Sequence, residues 1–110
     1  MNLPNAHNAI VERTKVSDYL LASEHPEGGG KAEFFTRFGF TADEWEALAE
    51  ALITHARTHP VSSFSESKYG AKYRIDGPLP CPDGRAPSIR AVWIIDRGSD
   101  APRLVTAHPL

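Results

Sequence analysis

Cysteine is nearly missing from this chain of 110 residues: Cys81 is the only one. A single thiol excludes an internal disulfide framework and any multi-cysteine zinc knuckle. It suits a reducing compartment, although a toxin delivered into another cell would carry the same signature. Long apolar runs are missing too, since no stretch approaches the ~18 residues that a membrane-crossing helix needs. The opening residues, MNLPNAHNAIVERTK, lack the basic start and apolar core of a secretory signal. A soluble, cytoplasmic protein with no membrane partner is therefore expected. There is no internal repeat and no low-complexity segment. Net charge is only −2, so the chain as a whole does not call for nucleic acid. The distribution is uneven: residues 1–67 carry 5 Lys and Arg against 10 Asp and Glu, and residues 68–110 carry 7 against 4. A basic half on an acidic chain is either a local footprint for a polyanion or an accident of a short sequence.

What remains is enough for one domain spanning 1–110, with 41% apolar and 24% charged residues. Residues 1–14 have no period and read as an extended arm. Ser17 before Asp18-Tyr19-Leu20-Leu21 reads as the N-cap of a short helix. Lys31 to Phe38 reads as a second helix, with Ala32, Phe35 and Phe38 at helical spacing and Gly39 in the place of a left-handed cap. Thr41-Ala42-Asp43-Glu44 has the form of a capping box. Behind it Trp45, Leu48, Ala49, Leu52, Ile53 and Ala56 make one apolar stripe on a helix that stops before Pro60. Helices thus fill 15–59. From residue 69 to 109 the period changes to two. Ala71, Tyr73 and Ile75 alternate with Lys72, Arg74 and Asp76. After the turn Pro82-Asp83-Gly84, Ser88 to Asp96 reads as a strand with Ile89, Ala91, Trp93 and Ile95 on one face. Its other face, Arg90, Val92 and Ile94, is also largely apolar, so this strand is expected to be central. Arg103 to His108 is a last strand. The fold expected is α+β, with N-terminal helices packed on an antiparallel sheet of three to four strands.

The stretch His25-Pro26-Glu27-Gly28-Gly29-Gly30-Lys31 invites a phosphate-binding reading and fails it. A nucleotide P-loop needs glycine where His25 stands and a hydroxyl residue where Ala32 stands, after a buried strand. No βαβ unit surrounds the glycines, so a dinucleotide fingerprint fails as well. Two readings survive. Either the glycines are a connector and Lys31 a solvated lysine, or Lys31, in the first turn of a helix whose dipole disfavours a cation there, awaits an anionic partner.

Among the five histidines, His55 and His59 close the long helix, where cations are welcome, and read as structural. Their i, i+4 spacing lacks the glutamate and third ligand of a metal site, so no metal or cofactor is expected. His7 lies in the arm and reads as inert. His25 and His108 each sit beside a proline at a segment end. On the last strand Leu104, Thr106 and His108 are expected to share a face, with Tyr69, Tyr73, Arg85 and Arg90 on neighbouring segments. A histidine, a lysine, one or two arginines and a hydroxyl are what RNA cleavage without metal requires. A base takes the 2′-hydroxyl proton, an acid protonates the leaving oxygen, and cations stabilise the phosphorane. The plainer reading of the same residues is a half-buried sheet with surface charges.

Three phrases, KVSDYLLASEHPEGGGKAEFFTRFGF, YGAKYRIDGPLPCPDGR and VWIIDRGSDAPRLVTAHP, resemble a family of small bacterial proteins known as domain of unknown function 6883. The resemblance runs from Leu3 to Pro109. Helices followed by a sheet ending in a TA-x-P strand are similar, more remotely, to the barnase–EndoU–colicin–RelE ribonuclease superfamily. That second resemblance is one of fold, and function does not follow from fold. It implies a toxin domain of bacterial conflict, paired with an antitoxin or immunity protein, cleaving RNA without metal. On this sequence it implies His25, Lys31, Thr106 and His108 as catalytic residues. Tyrosine is commoner than histidine at the position of His108. Tyr69, Tyr73 and either Arg85 or Arg90 would hold substrate. Against this stands a second expectation, a non-catalytic binding or accessory domain, favoured by the slightly acidic net charge.

Overall fold

Strand β3 (Ser88–Asp96) is the axis of the fold, and its sequence says why. In the computed structural model, which describes residues 1–22, 24 and 29–110, it pairs antiparallel with β2 (Gly70–Pro78) on one side and β4 (Arg103–Pro109) on the other. Ile89, Ala91 and Trp93 are fully buried on one face. Arg90, Val92 and Ile94 occupy the other, which explains the apolar content of both faces in a central strand.

A strand not foreseen from the sequence, β1 (Val61–Ser67), pairs with β2 and completes a four-stranded antiparallel meander in the order β1-β2-β3-β4. Its sequence, VSSFSES, buries almost nothing, so it gives no apolar signal. Backbone hydrogen bonding to β2, not side-chain burial, puts it there.

Among the described residues the helices precede the sheet, giving the expected α+β class. They comprise a 3-10 turn (Ala6–Asn8) in the segment expected as an extended arm, α1 (Arg13–Lys15) running into a π turn (Val16–Leu20), α2 (Gly29–Arg37) and α3 (Trp45–Thr58). Val16, Leu20, Phe35, Leu48, Leu52 and Ala56 form one core with Tyr73, Ile75, Ile89, Ala91, Trp93, Leu104 and Ala107. The helices therefore cover a single face of the sheet. The opening residues are packed on the same body. Leu3 is buried, Val61 donates its N–H to the carbonyl of Met1 at 2.7 Å, and Ile10 bridges to Arg103 along the outer edge of β4.

Local sequence rules account for some element ends and not others. The α2 terminus is a Schellman motif: Phe40 N–H bonds the carbonyl of Phe35 at 3.2 Å and Gly39 N–H that of Thr36 at 3.0 Å. Gly39 has φ 103°, and the Phe35 and Phe40 rings meet edge-on at 6.2 Å, the apolar contact that accompanies this cap. The capping box before α3 is half formed. Thr41 Oγ1 accepts from the Glu44 N–H at 3.3 Å, but the helix begins only at Trp45. Ser17 is not an N-cap. Its hydroxyl donates to the carbonyl of Arg13 at 3.0 Å, one turn back, so helical structure starts earlier than its side chain suggested.

At the end of α3, His55 is a core histidine, 1% exposed. Its Nε2 bonds the Gly77 carbonyl at 3.1 Å, and its ring stacks on His59 at 4.6 Å. Gly77 is required there, because a Cβ at that position would collide with the His59 ring. Burial, seconded by His59, holds the His55 pKa below its ordinary 6.5, against the Gly77 bond and Asp76, which pull it up.

Two outcomes follow from these contacts. Gly39→Ala forces a side chain into a positive-φ cap against Pro82, and should lower unfolding free energy by about 1–2 kcal/mol in urea titrations. For His55 the unfolded chain binds more protons than the folded one below pH 6.5. Stability is therefore full above that value and falls as the solution is acidified through it. His55→Gln should flatten this slope, which for one group is at most ~1.4 kcal/mol per pH unit. A slope unchanged in the variant would assign the acid sensitivity elsewhere.

Candidate functional site

The chemistry-bearing residues gather where the helical layer meets the edge strand β4. The π turn is the first cause. Leu21 N–H bonds the carbonyl of Val16 at 2.8 Å, five residues back, and this widened turn buries both Val16 and Leu20. Between them Tyr19 stays half-buried, with its phenol oxygen 3.3 Å from Thr106 Oγ1 on β4.

Lys31 arrives from the other direction, in the first turn of α2. Ala32 and Phe35 bury the inner stripe of that helix and fix its rotation. Lys31 Nζ donates to the Tyr19 phenol at 3.0 Å and lies 5.1 Å from the centroid of its ring. Lys15, one turn before Tyr19, places a second ammonium 5.2 Å from the same ring. With its oxygen accepting from Lys31, the phenol shares one further hydrogen bond with Thr106 Oγ1, in which either hydroxyl can donate. Lys31 and Thr106 are thus joined through Tyr19, a residue that sequence reasoning did not select. A polar-tipped aromatic inside the apolar run Tyr19-Leu20-Leu21, four residues after Lys15, was the signal available.

His108 lies two residues beyond Thr106. A register shift at Val105 sets its face: Leu104 pairs with Trp93 and is buried, whereas Thr106 pairs with Val92 and His108 with Arg90. Leu104 therefore does not share a face with Thr106 and His108, contrary to the alternation read from sequence, because one extra residue inverts the phase. The Nδ1 of His108 lies 2.9 Å from the Pro109 carbonyl. Across from it, Arg90 is clamped by Asp76 through two bonds of 2.8 and 2.9 Å. The Arg90 hydrogen bonds, more than its charge alone, hold the Asp76 carboxyl below the ordinary carboxylate range. Asp76, Arg90 and His108 form one cross-strand row, next to the row Arg74, Val92 and Thr106.

The other expected residues lie elsewhere. Arg85 binds Asp83 at 2.7 Å, donates to the Arg37 carbonyl and sits 4.3 Å over the Phe38 ring, stapling the β2–β3 connection to the end of α2. Tyr73 is buried in the core. Tyr69 is 68% exposed in the two-residue turn between β1 and β2. It stands seven residues before Asp76, roughly 23 Å from that row. His25 lies outside the described residues. Cys81 is disfavoured as a thiolate: burial first, and Asp83 second, push its pKa up to about 11. Among the described residues no group of three or more His, Cys, Asp or Glu is placed to hold a metal ion, and no helix is long and apolar enough to cross a membrane.

A family model described as a domain of unknown function (DUF6883) matches residues 2–110. No curated protein is similar enough to match. Among solved structures, a chain from the contact-dependent growth inhibition toxin–immunity protein complex of Klebsiella pneumoniae 342 is similar in fold. It is 16% identical with a TM-score of 0.75, and 92% of this chain and 99% of that chain are covered.

Proposed function

The chain belongs to the family of domain of unknown function 6883, and we propose that it is the toxic half of an effector–immunity pair, cleaving RNA without a metal ion. The observation that carries this reading is the Lys31–Tyr19–Thr106 chain of contacts, 3.0 and 3.3 Å long. It unites a cation and two hydroxyls from three separate elements at one edge of the sheet. The likeness in fold to a chain of a toxin–immunity complex supports the biological setting.

Cleavage at a phosphodiester needs a base for the 2′-hydroxyl, an acid for the departing 5′ oxygen, and positive charge for the phosphorane. Lys31 supplies the charge. Tyr19 and Thr106 donate to the non-bridging oxygens and fix the phosphate beside the ammonium. His108, on the same face as Thr106, moves the proton, with His25 as its counterpart. Arg90 stays with Asp76 and lends its field to the His108 row without leaving its partner. RNA in this scheme is substrate, and the immunity protein is the second partner.

A second reading, a binding domain without catalysis, is favoured by one observation: the similar solved structure is a complex between two proteins. Among the described residues, β1 pairs with another strand on one side only, with Met1 bonded to its first residue and Phe64 46% exposed, a place where a partner strand can add.

The two readings separate in vitro. Under the catalytic reading, Lys31→Ala should lower RNA cleavage by the purified protein about 100-fold, the usual cost of removing one transition-state donor. Tyr19→Phe should lower it about 10-fold while the melting temperature stays near that of wild type. Expression in cells should degrade RNA for wild type and spare it for Lys31→Ala. Equal cleavage by wild type and Lys31→Ala would end the catalytic assignment.

A further inference from the structure

We infer that the hairpin end of the open sheet face is a nucleotide-binding subsite, which holds single-stranded RNA beside the bond that is cut. The inference rests on the ribonuclease reading for the chemistry and on separate residues for the binding. Among the described residues the helices pack on the Trp93 face only, so Lys72, Arg74, Arg90, Val92 and Ile94 lie on the other face, where no helix covers them, although Ile94 itself is buried. Four cations stand on this face, Lys72, Arg74, Arg90 and Arg103. Two of them are already matched, Arg90 by Asp76 and Arg103 by Asp96 at 2.6 Å. Lys72 and Arg74 have no ion pair among the described residues, and Arg74 makes only a long 3.5 Å contact to Ser65 Oγ.

These two cations line a hollow of ≈ 480 Å³ together with Ser65, Ser67, Tyr69 and Ile94. No carboxylate lines it. The size suits one nucleotide and not a folded surface. The lining matches the parts of a nucleotide: cations and hydroxyls for phosphate, an exposed phenol ring for a base, and an apolar floor. Lys68 Nζ lies 5.2 Å from the Tyr69 ring and adds a third cation at the rim. Arg97 holds the turn from behind, donating its N–H to the Tyr69 carbonyl at 2.9 Å. Such a combination of basic groove and stacking ring binds single strands with little sequence preference.

Register links the hollow to the candidate catalytic edge. Arg74 pairs with Val92, and Val92 with Thr106, so all three share one row across the sheet. Two strand spacings, roughly 10 Å, separate Arg74 from Thr106. One extended oligonucleotide therefore touches both, crossing the strands at Val92. An acidic protein surface is the competing occupant, and it needs neither the concavity nor the ring.

The test measures binding of a short 2′-O-methyl oligoribonucleotide, whose blocked 2′ oxygen prevents cleavage, by fluorescence anisotropy over a range of salt. Lys72→Ala/Arg74→Ala should weaken binding about 10-fold or more and reduce the salt slope by about 1.4, two phosphate contacts at ~0.7 each. Tyr69→Ala should weaken it about 10-fold with the slope unchanged, as loss of stacking does. Both changes sit at surface positions, and a near-wild-type melting temperature confirms the fold. Wild-type affinity and slope in Lys72→Ala/Arg74→Ala overturn the subsite, as does equal competition by poly-glutamate, which would assign the face to an acidic protein. Oligonucleotide binding that needs Lys72 and Arg74, in a protein that cuts no RNA, upholds the subsite and refutes the nuclease. Cleavage that needs Lys31 but neither Lys72 nor Arg74 does the reverse.

Discussion

The structure depends on covering one face of one sheet, and Trp93 is at its centre. The indole is fully buried on β3, between strands β2 and β4, in the same core as Phe35, Leu20 and the buried residues of α3. An aromatic of that size contributes more burial than any neighbour, and its removal costs on the order of 3–5 kcal/mol in comparable cores. Every helix must therefore approach from the Trp93 side. The opposite face has no helix against it among the described residues, and it carries Lys72, Arg74, Asp76, Arg90 and Arg103 beside the buried Ile94. This asymmetry decides which face of the sheet carries the charged side chains.

It also decides what the edge strand does. Since α2 and the π turn both press on the core beside β4, Lys31 and Tyr19 reach the strand from the covered side. Thr106 and His108 are turned toward the open one by the extra residue at Val105. The rim of β4 is the line where the two surfaces join. A cation and a phenol brought from the helices meet a hydroxyl brought from the strand there. Ion pairing then sorts the arginines: Asp76 and Asp96 each immobilise one partner by two-point contact, and Asp83 holds Arg85. Exposed pairs of this kind add little stability, and their effect here is to decide which cations of the sheet are already matched by a carboxylate.

Much of the fold was legible because it is written in local periods. Residues 45–56 repeat at 3.6 and 88–96 at 2, so their type and buried face could be read directly. Gly39 announced a helix end by the one conformation it allows. The failures have equally local reasons. Strand β1 carries serines and buries nothing, so its pairing with β2 leaves no mark on side-chain pattern. Ser17 resembles a cap but bonds backward to Arg13. The phase of β4 is inverted at Val105, and nothing in RLVTAHP marks a bulge. Within the candidate site, Lys31 and Thr106 were selected by residue type and resemblance, and both arrive at one place. Tyr19, the group between them, was passed over as part of a helix. Arg85 and Tyr73 were selected by the same chemical logic and have other partners, since a suitable side chain does not reveal whether it is already engaged.

The sequence by itself determined the α+β class, the buried stripe of α3, the two-sided apolar character of β3 and the failure of the P-loop pattern. Each is a matter of spacing between near neighbours, where the geometry of helix or strand is known in advance. Only the tertiary structure decided that Lys31 meets Tyr19 and Thr106, that Arg90 is held by Asp76, and that Lys72 and Arg74 are left over on an open face. Those facts join residues dozens of positions apart. They depend on which face the helices cover and on a register that one inserted residue can invert.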